Sequence, residues 1–174
     1  MKISALEEYG LRCMLRLGRC DDGKSLTISE IADQEGLTAA NVRKLMMILR
    51  EAGLVQSVRG RLGGYALNGN PSDITVGRIL TALGGRMFDS QEFCGKFTGD
   101  VTICVNSTTC SVRSLWGVID GLVGGVLHRI RLSDLLATEG QVSFSLRQHL
   151  EATMDQILGD NRRPPAKALP MIEA

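Results

Sequence analysis

The 174-residue sequence has almost no net charge: 20 Lys and Arg stand against 19 Asp and Glu, leaving a formal +1 at pH 7. No global field therefore draws the chain to nucleic acid or to a membrane surface, and any such partner has to be met by a local patch. Long apolar runs are missing too. The longest, Leu115 to Leu127, is interrupted by Asp120 and flanked by Arg113 and Arg129, short of the ~20 apolar residues of a membrane span. The N-terminus, Met1-Lys2-Ile3-Ser4-Ala5-Leu6-Glu7-Glu8, carries two acids and no apolar h-region, unlike a secretory signal. These absences point to a cytoplasmic protein without membrane contact. There is no phosphate loop, Ser-His-Asp set or metal-hydrolase motif, so nothing marks an enzyme. His128 and His149, the only two histidines, have no partner spacing that suggests a metal site.

What is present suffices for a fold of one domain, or one with a small appendage. Hydrophobic residues make up 44% and charged residues 22%, close to soluble globular averages. Apolar residues recur with helical period from Glu7 to Arg19, where Cys13 and Cys20 fall on the apolar face and read as buried core thiols. Thr27-Ile28-Ser29-Glu30 is a capping-box sequence that should open a helix running to about Glu35. Gly36 is placed to end it, and Thr38 can cap a longer helix over Ala39 to Ala52, striped by Val42, Leu45, Met46 and Leu49. Two helices joined by a short glycine-containing turn are the pattern of a helix-turn-helix. Leu54 to Val58 and Tyr65 to Leu67 then read as strands around a Gly-Arg hairpin. Helix, turn, helix, hairpin is a winged helix.

Thr75 to Leu83 has the spacing of a further helix, stopped by Gly84-Gly85. Arg86 to Thr109 shows no sustained period, and a loop of that length is uncommon unless it is functional or held by something. From Ser111, Val112, Leu115, Trp116, Ile119, Leu122, Val123, Val126 and Ile130 define a long helix. Gly117, Gly121, Gly124 and Gly125 within it each cost about 1 kcal/mol of helix propensity relative to Ala. Their presence implies that something packs closely on this backbone, and a symmetric partner helix would explain them. Ser133 to Leu136 forms a short turn, Phe144 to Leu158 a last helix, and Asn161 to Ala174, with three of the four prolines, a mobile tail. The expected division is 1–85 winged helix-turn-helix, 86–110 cysteine-bearing loop, 111–138 dimerisation helix and cap, and 139–174 C-terminal extension. The fold class is mostly α with a small β-wing.

Between Ala39 and Tyr65, Arg43, Lys44, Arg50, Arg59 and Arg61 face Glu51 alone. That local excess is the footprint expected if the third helix enters a major groove and the wing meets the phosphate backbone. Thr38, Ala39, Ala40, Asn41, Arg43 and Lys44 lie at the N-terminal end of that helix, the part that usually faces base edges. The implied partner is double-stranded operator DNA.

The remaining cysteines, Cys94, Cys104 and Cys110, are separated by nine and five residues, without Cys-x-x-Cys pairs. Three thiolates in one loop suit an iron-sulfur cluster, a zinc ion or a thiol redox switch, and their spacing alone leaves all three open beside unrelated cysteines.

The chain resembles the Rrf2 family of bacterial winged-helix transcription regulators over about Met1 to Leu136. The motifs that carry the resemblance are Met1-Lys2-Ile3-Ser4, Tyr9-Gly10-Leu11-Arg12, Ile31-Ala32, Leu54-Val55-Gln56-Ser57-Val58-Arg59-Gly60 with Gly63-Gly64-Tyr65, Ile74-Thr75-Val76-Gly77 and Leu132-Ser133-Asp134-Leu135-Leu136. Trp116 follows the third cysteine by six residues, as in many members. The resemblance implies a homodimer joined through the long helix on a partly palindromic operator, with one two-iron or four-iron cluster per subunit controlling DNA affinity. It places the cluster on Cys94, Cys104 and Cys110. Where IscR-like members have a histidine ligand this chain has Arg113, which cannot ligate. Glu8 falls where NsrR-like members supply a carboxylate across the dimer, with Glu7 or a small exogenous ligand as alternatives. The expected protein is thus a regulator, a repressor in its simplest form, sensing redox state, nitric oxide or iron and cluster supply. A cluster-free thiol switch, or a small-ligand-responsive regulator on the same fold, is the rival reading.

Overall fold

The computed structural model describes residues 3–20, 24–60, 63–84 and 94–160. Arg61, the part of the loop before Cys94 and the tail expected from Asn161 lie outside them. The order of elements is α1 (Ala5–Gly18), α2 (Ile28–Glu35), α3 (Ala39–Glu51), β1 (Val55–Val58), β2 (Gly64–Leu67), α4 (Val76–Gly84), α5 (Ser111–Leu127), a 3-10 turn (Leu132–Leu135) and α6 (Glu139–Asp160). The mostly helical chain with its two-stranded sheet is a winged helix followed by two further helices.

Local chemistry accounts for the helix ends. The Ser4 hydroxyl accepts from the Glu7 amide, and the Glu7 carboxylate accepts from the Ser4 amide at 2.7 Å; Thr27 and Glu30 repeat this reciprocal cap on α2. The carboxylate of Glu30 is held below its ordinary pKa by the hydrogen bond it accepts from the Thr27 backbone. Gly36 ends α2 with φ +66°, a conformation that glycine adopts without steric cost. The strands β1 and β2 pair antiparallel from Val55 with Leu67 to Val58 with Gly64.

Met14, Ile31, Val42, Met46, Leu49, Leu54, Ile79 and Leu132 form a fully buried core shared by α1 to α4, the base of the wing and the 3-10 turn. Burying side chains of this size stabilises the fold by about 1.5–3 kcal/mol each. At its edge Glu35 is gripped by two arginines of α1, with Arg12 Nε at 3.0 Å and Arg16 Nε at 2.7 Å, which ties α1 to the end of α2. Gly10 lets Leu83 of α4 close on α1, since a Cβ there would collide with the leucine methyls.

The chain leaves this core after α4 and returns to it after α5. The return is fixed by an antiparallel bridge between Thr75 and Arg131, in which the Val76 amide donates to Ile130 at 2.9 Å and the Leu132 amide to Ile74 at 2.8 Å. Between these points α5 has no buried residue. Val112, Leu115, Trp116 and Val118 are exposed on it. A Cβ on Gly117, Gly121 or Gly124 would meet nothing within 4 Å, and on Gly125 only the Thr153 methyl of α6 at 3.7 Å. The close packing expected on these glycines is therefore not made by the described residues of the chain.

Several sequence expectations need correction. The last helix starts at Glu139, five residues before Phe144, because Thr138 caps it: its hydroxyl and amide donate to Gln141 Oε1 at 2.8 and 3.2 Å. The first helix starts at Ala5 and ends at Gly18. Cys20 therefore lies past its C-cap, half-buried, with its thiol directed to the Arg16 carbonyl at 3.6 Å, and only Cys13 is a core thiol. The cysteine loop is not wholly irregular, since residues 94–96 are helical. The long helix ends at Leu127 rather than continuing to Ile130.

Candidate nucleic-acid interface and cysteine-bearing loop

The burial pattern of α3 divides it cleanly. Val42, Leu45, Met46 and Leu49 are buried, whereas Thr38, Ala39, Ala40, Asn41, Arg43 and Lys44 are all exposed. The Thr38 hydroxyl accepts from the Asn41 amide at 3.3 Å and so fixes the start of the helix. The structure thus brings six of the expected DNA-contacting residues to one open surface at one helix end. Met47, 49% exposed, extends the same face one turn further. The signal for it was in the sequence, because 40, 43, 44 and 47 share a helix face. An apolar side chain there is suited to a thymine methyl group.

The wing stands beside this face. Arg59 is exposed at the end of β1, and Asn68 secures the base of the hairpin by donating from Nδ2 to the Gly53 carbonyl at 3.0 Å. A hollow of about 220 Å³ lined by Ala5, Leu6, Tyr9, Asn41, Lys44 and Leu45 separates the start of α1 from α3.

The cysteine-bearing loop is less convergent. Cys94 opens the helical residues 94–96, Cys104 closes a turn by accepting from the Ser107 amide at 3.0 Å, and Cys110 is the N-cap of α5. The Cys110 Sγ accepts from the Arg113 amide at 3.3 Å, at the end of a helix that favours negative charge. All three are half-buried free thiols. Among the described residues no group of three or more His, Cys, Asp or Glu side chains is close enough together to hold a metal ion. The donor types fit an iron-sulfur cluster, but the three sulfurs are not gathered around one point.

The two candidate carboxylates differ. Glu7 is committed to its cap with Ser4 and lies against Gly84, where a Cβ would come within 2.5 Å of its Oε1. Glu8 is exposed on the first turn of α1. Cys13 is of another kind: burial first, then the nearby Glu35 charge, push its thiol up to about 11. It stays protonated and unreactive near neutral pH.

The Rrf2 family, described as iron-dependent transcriptional regulators, matches residues 3–138. The chain belongs to the Rrf2 family. It is similar to the HTH-type transcriptional regulator IscR of Aliivibrio salmonicida, 28% identical over 163 residues, 94% of each chain. The IscR of Vibrio vulnificus is 27% identical over 160 residues, 92% of each chain. Among solved structures, CymR, the global cysteine regulator of B. subtilis, superposes with a TM-score of 0.63 at 32% identity, covering 78% of this chain and 96% of that one. T. potens IscR superposes with a TM-score of 0.61 at 31% identity, covering 78% and 86%. The oxidized form of Staphylococcus aureus CymR gives 0.61 at 28% identity, covering 79% and 98%. As an Rrf2 protein the chain is a DNA-binding transcription regulator and not an enzyme. Among its described residues no helix is long and apolar enough to cross a membrane.

Proposed function

We propose that this Rrf2 regulator is a homodimer that represses transcription and whose operator affinity is set by an iron-sulfur cluster, of two or four irons per subunit. Cys94, Cys104 and Cys110 would hold it, with Glu8 of the other subunit as fourth ligand. The observation that carries the reading is the placement of three free, half-buried thiols on the one segment that joins α4 of the winged helix to α5. When bound, such a cluster supplies thiolate-ligated iron that reacts with nitric oxide and oxidants, the more readily if one ligand is a hard carboxylate.

The chain's own residues supply the rest. In this reading Arg43, Lys44 and Asn41 enter the major groove behind the Thr38 cap, and Arg59 and Arg61 of the wing neutralise flanking phosphates. The apolar stripe of α5 joins two subunits and so sets the spacing of two half-sites. Gathering Cys94, Cys104 and Cys110 pulls the start of α5 toward the end of α4, and releasing them relaxes it. A coupling of ~1–3 kcal/mol between loop order and the DNA-binding conformation is enough to switch occupancy.

A thiol switch on the same cysteines is the second reading, favoured by their free, half-exposed state and by the similarity to a CymR that has an oxidized form. Anaerobic purification with an absorbance spectrum and iron and sulfide counts separates the two. A brown protein with matched iron and sulfide, colourless as Cys104→Ala, is the expected result. A colourless native chain that gains no iron on reconstitution and forms a disulfide with peroxide would replace the cluster with thiol chemistry.

A further inference from the structure

The wing packs on α1 through β2 and is also hydrogen-bonded to the rest of the DNA-binding unit away from its own base. The strand β2 forms an antiparallel bridge with the segment leading into α2: the Tyr65 amide donates to Leu26 at 2.8 Å and the Leu26 amide to Tyr65 at 3.0 Å. The next residue, Thr27, is the N-cap of α2, and α2 carries α3 through the tight turn at Gly36. The bridge therefore links the wing to the helix-turn-helix by two hydrogen bonds one residue from a helix cap.

Gly64 makes this contact possible. A Cβ at that position would collide with the Leu26 carbonyl oxygen, lie 2.5 Å from its carbonyl carbon and 2.9 Å from the Thr27 nitrogen. These are backbone atoms, which cannot swing aside as a side chain can. Gly64 is not among the glycines with positive φ, so its own backbone would accept alanine and the collision is the whole effect. The neighbouring Gly63 is different, because the atoms nearest its Cβ, backbone of Val58 and Gly60, belong to the hairpin itself.

We propose that Gly64 is a positioning residue for DNA binding: its bare Cα lets β2 close on Leu26 and Thr27, and this closure sets the position of Arg59, at the end of β1, relative to the α3 face. The inference rests on the reading that Arg59 and Arg61 neutralise phosphates.

The test is the salt dependence of binding, for the full chain, to a duplex selected by the native protein from a random pool. In the native dimer, with one wing per subunit, Arg59→Ala should lower the slope of log affinity against log salt by about 1.8. Gly64→Ala should lower it by about the same amount, as though both copies of Arg59 had lost their phosphates, in a chain that remains folded. Adding Arg59→Ala to Gly64→Ala should then change the slope no further. A native slope in Gly64→Ala, or a full Arg59→Ala effect in both backgrounds, overturns the positioning role while leaving the wing reading intact. An unchanged slope in Arg59→Ala alone overturns the wing reading itself. Should Gly64→Ala not fold, amide exchange on the native chain decides: the Leu26 and Tyr65 amides should exchange slowly already in the free chain and no differently on DNA, and fast exchange in the free chain would overturn the inference.

Discussion

The winged helix and the long helix of this chain solve opposite problems. From Cys13 to Ile79 the elements interlock around nine fully buried side chains, joined there by Leu132. The 17 residues of α5 are equally apolar in character yet bury none. A stripe at Val112, Leu115, Ile119, Leu122 and Val126 alternates by three and four residues, the spacing of a helix-helix seam; among the described residues Val112 and Leu115 on it are exposed and Ile119, Leu122 and Val126 only half-buried. Exposed apolar surface on this scale marks an interaction site. One region is closed among the described residues, and the other leaves an apolar face open.

The largest expected effect breaks the comparison from the packed side. Leu49→Ala should cost about 2–5 kcal/mol in denaturant-induced unfolding, while Leu115→Ala at low protein concentration stays within about 0.5 kcal/mol. Equal losses would mean that α5 is packed in the single chain after all. From the open side, Leu122→Asp should weaken self-association by more than about 1.4 kcal/mol, or tenfold, read by sedimentation at several concentrations; an unchanged dimer would remove α5 from the interface. Arg43→Ala should lower operator affinity by about 1–3 kcal/mol without altering stability. A gel-shift titration that does not move would take the exposed α3 face out of DNA recognition.

The smallest effect concerns the thiols. Cys13, with its native pKa raised from 9.0 to about 11, favours the folded state while its thiol is protonated, below about pH 9. That contribution declines as pH rises toward 11, so alkaline unfolding should shift to higher pH in Cys13→Ala once the lost packing is allowed for. In the native chain iodoacetamide should label Cys94, Cys104 and Cys110 well before Cys13. Early labelling of Cys13 would show the core opening.

Local signals carried most of the winged half. The capping box at Thr27, the glycine at 36 and the apolar period of α3 specify their elements within a few residues, and they do so because each acts over one helical turn. The same signals at Ser4-x-x-Glu7 and Thr138-x-x-Gln141 passed unread, the second because Gly140 weakens the first turn it opens. The pairings of Leu26 with Tyr65 and of Thr75 with Arg131 are not legible in this way. They join segments tens of residues apart and leave no periodic mark. For the site, residue types and order pointed to the α3 face and the loop, but whether three cysteines converge depends on the path of an irregular backbone.

The Thr75–Arg131 bridge has one more consequence. By tying the segment after α5 to the residues just before α4, it returns the excursion through the cysteine loop and α5 to a fixed doorway in the DNA-binding half. Lengthening a flexible loop twofold costs only about 0.6 kcal/mol in closure entropy, and the doorway is held by its own hydrogen bonds. Residues can therefore be gained or lost between Cys94 and Cys104 without moving the doorway, so the input of such a regulator is free to diversify while the point at which it joins the DNA-binding half stays fixed.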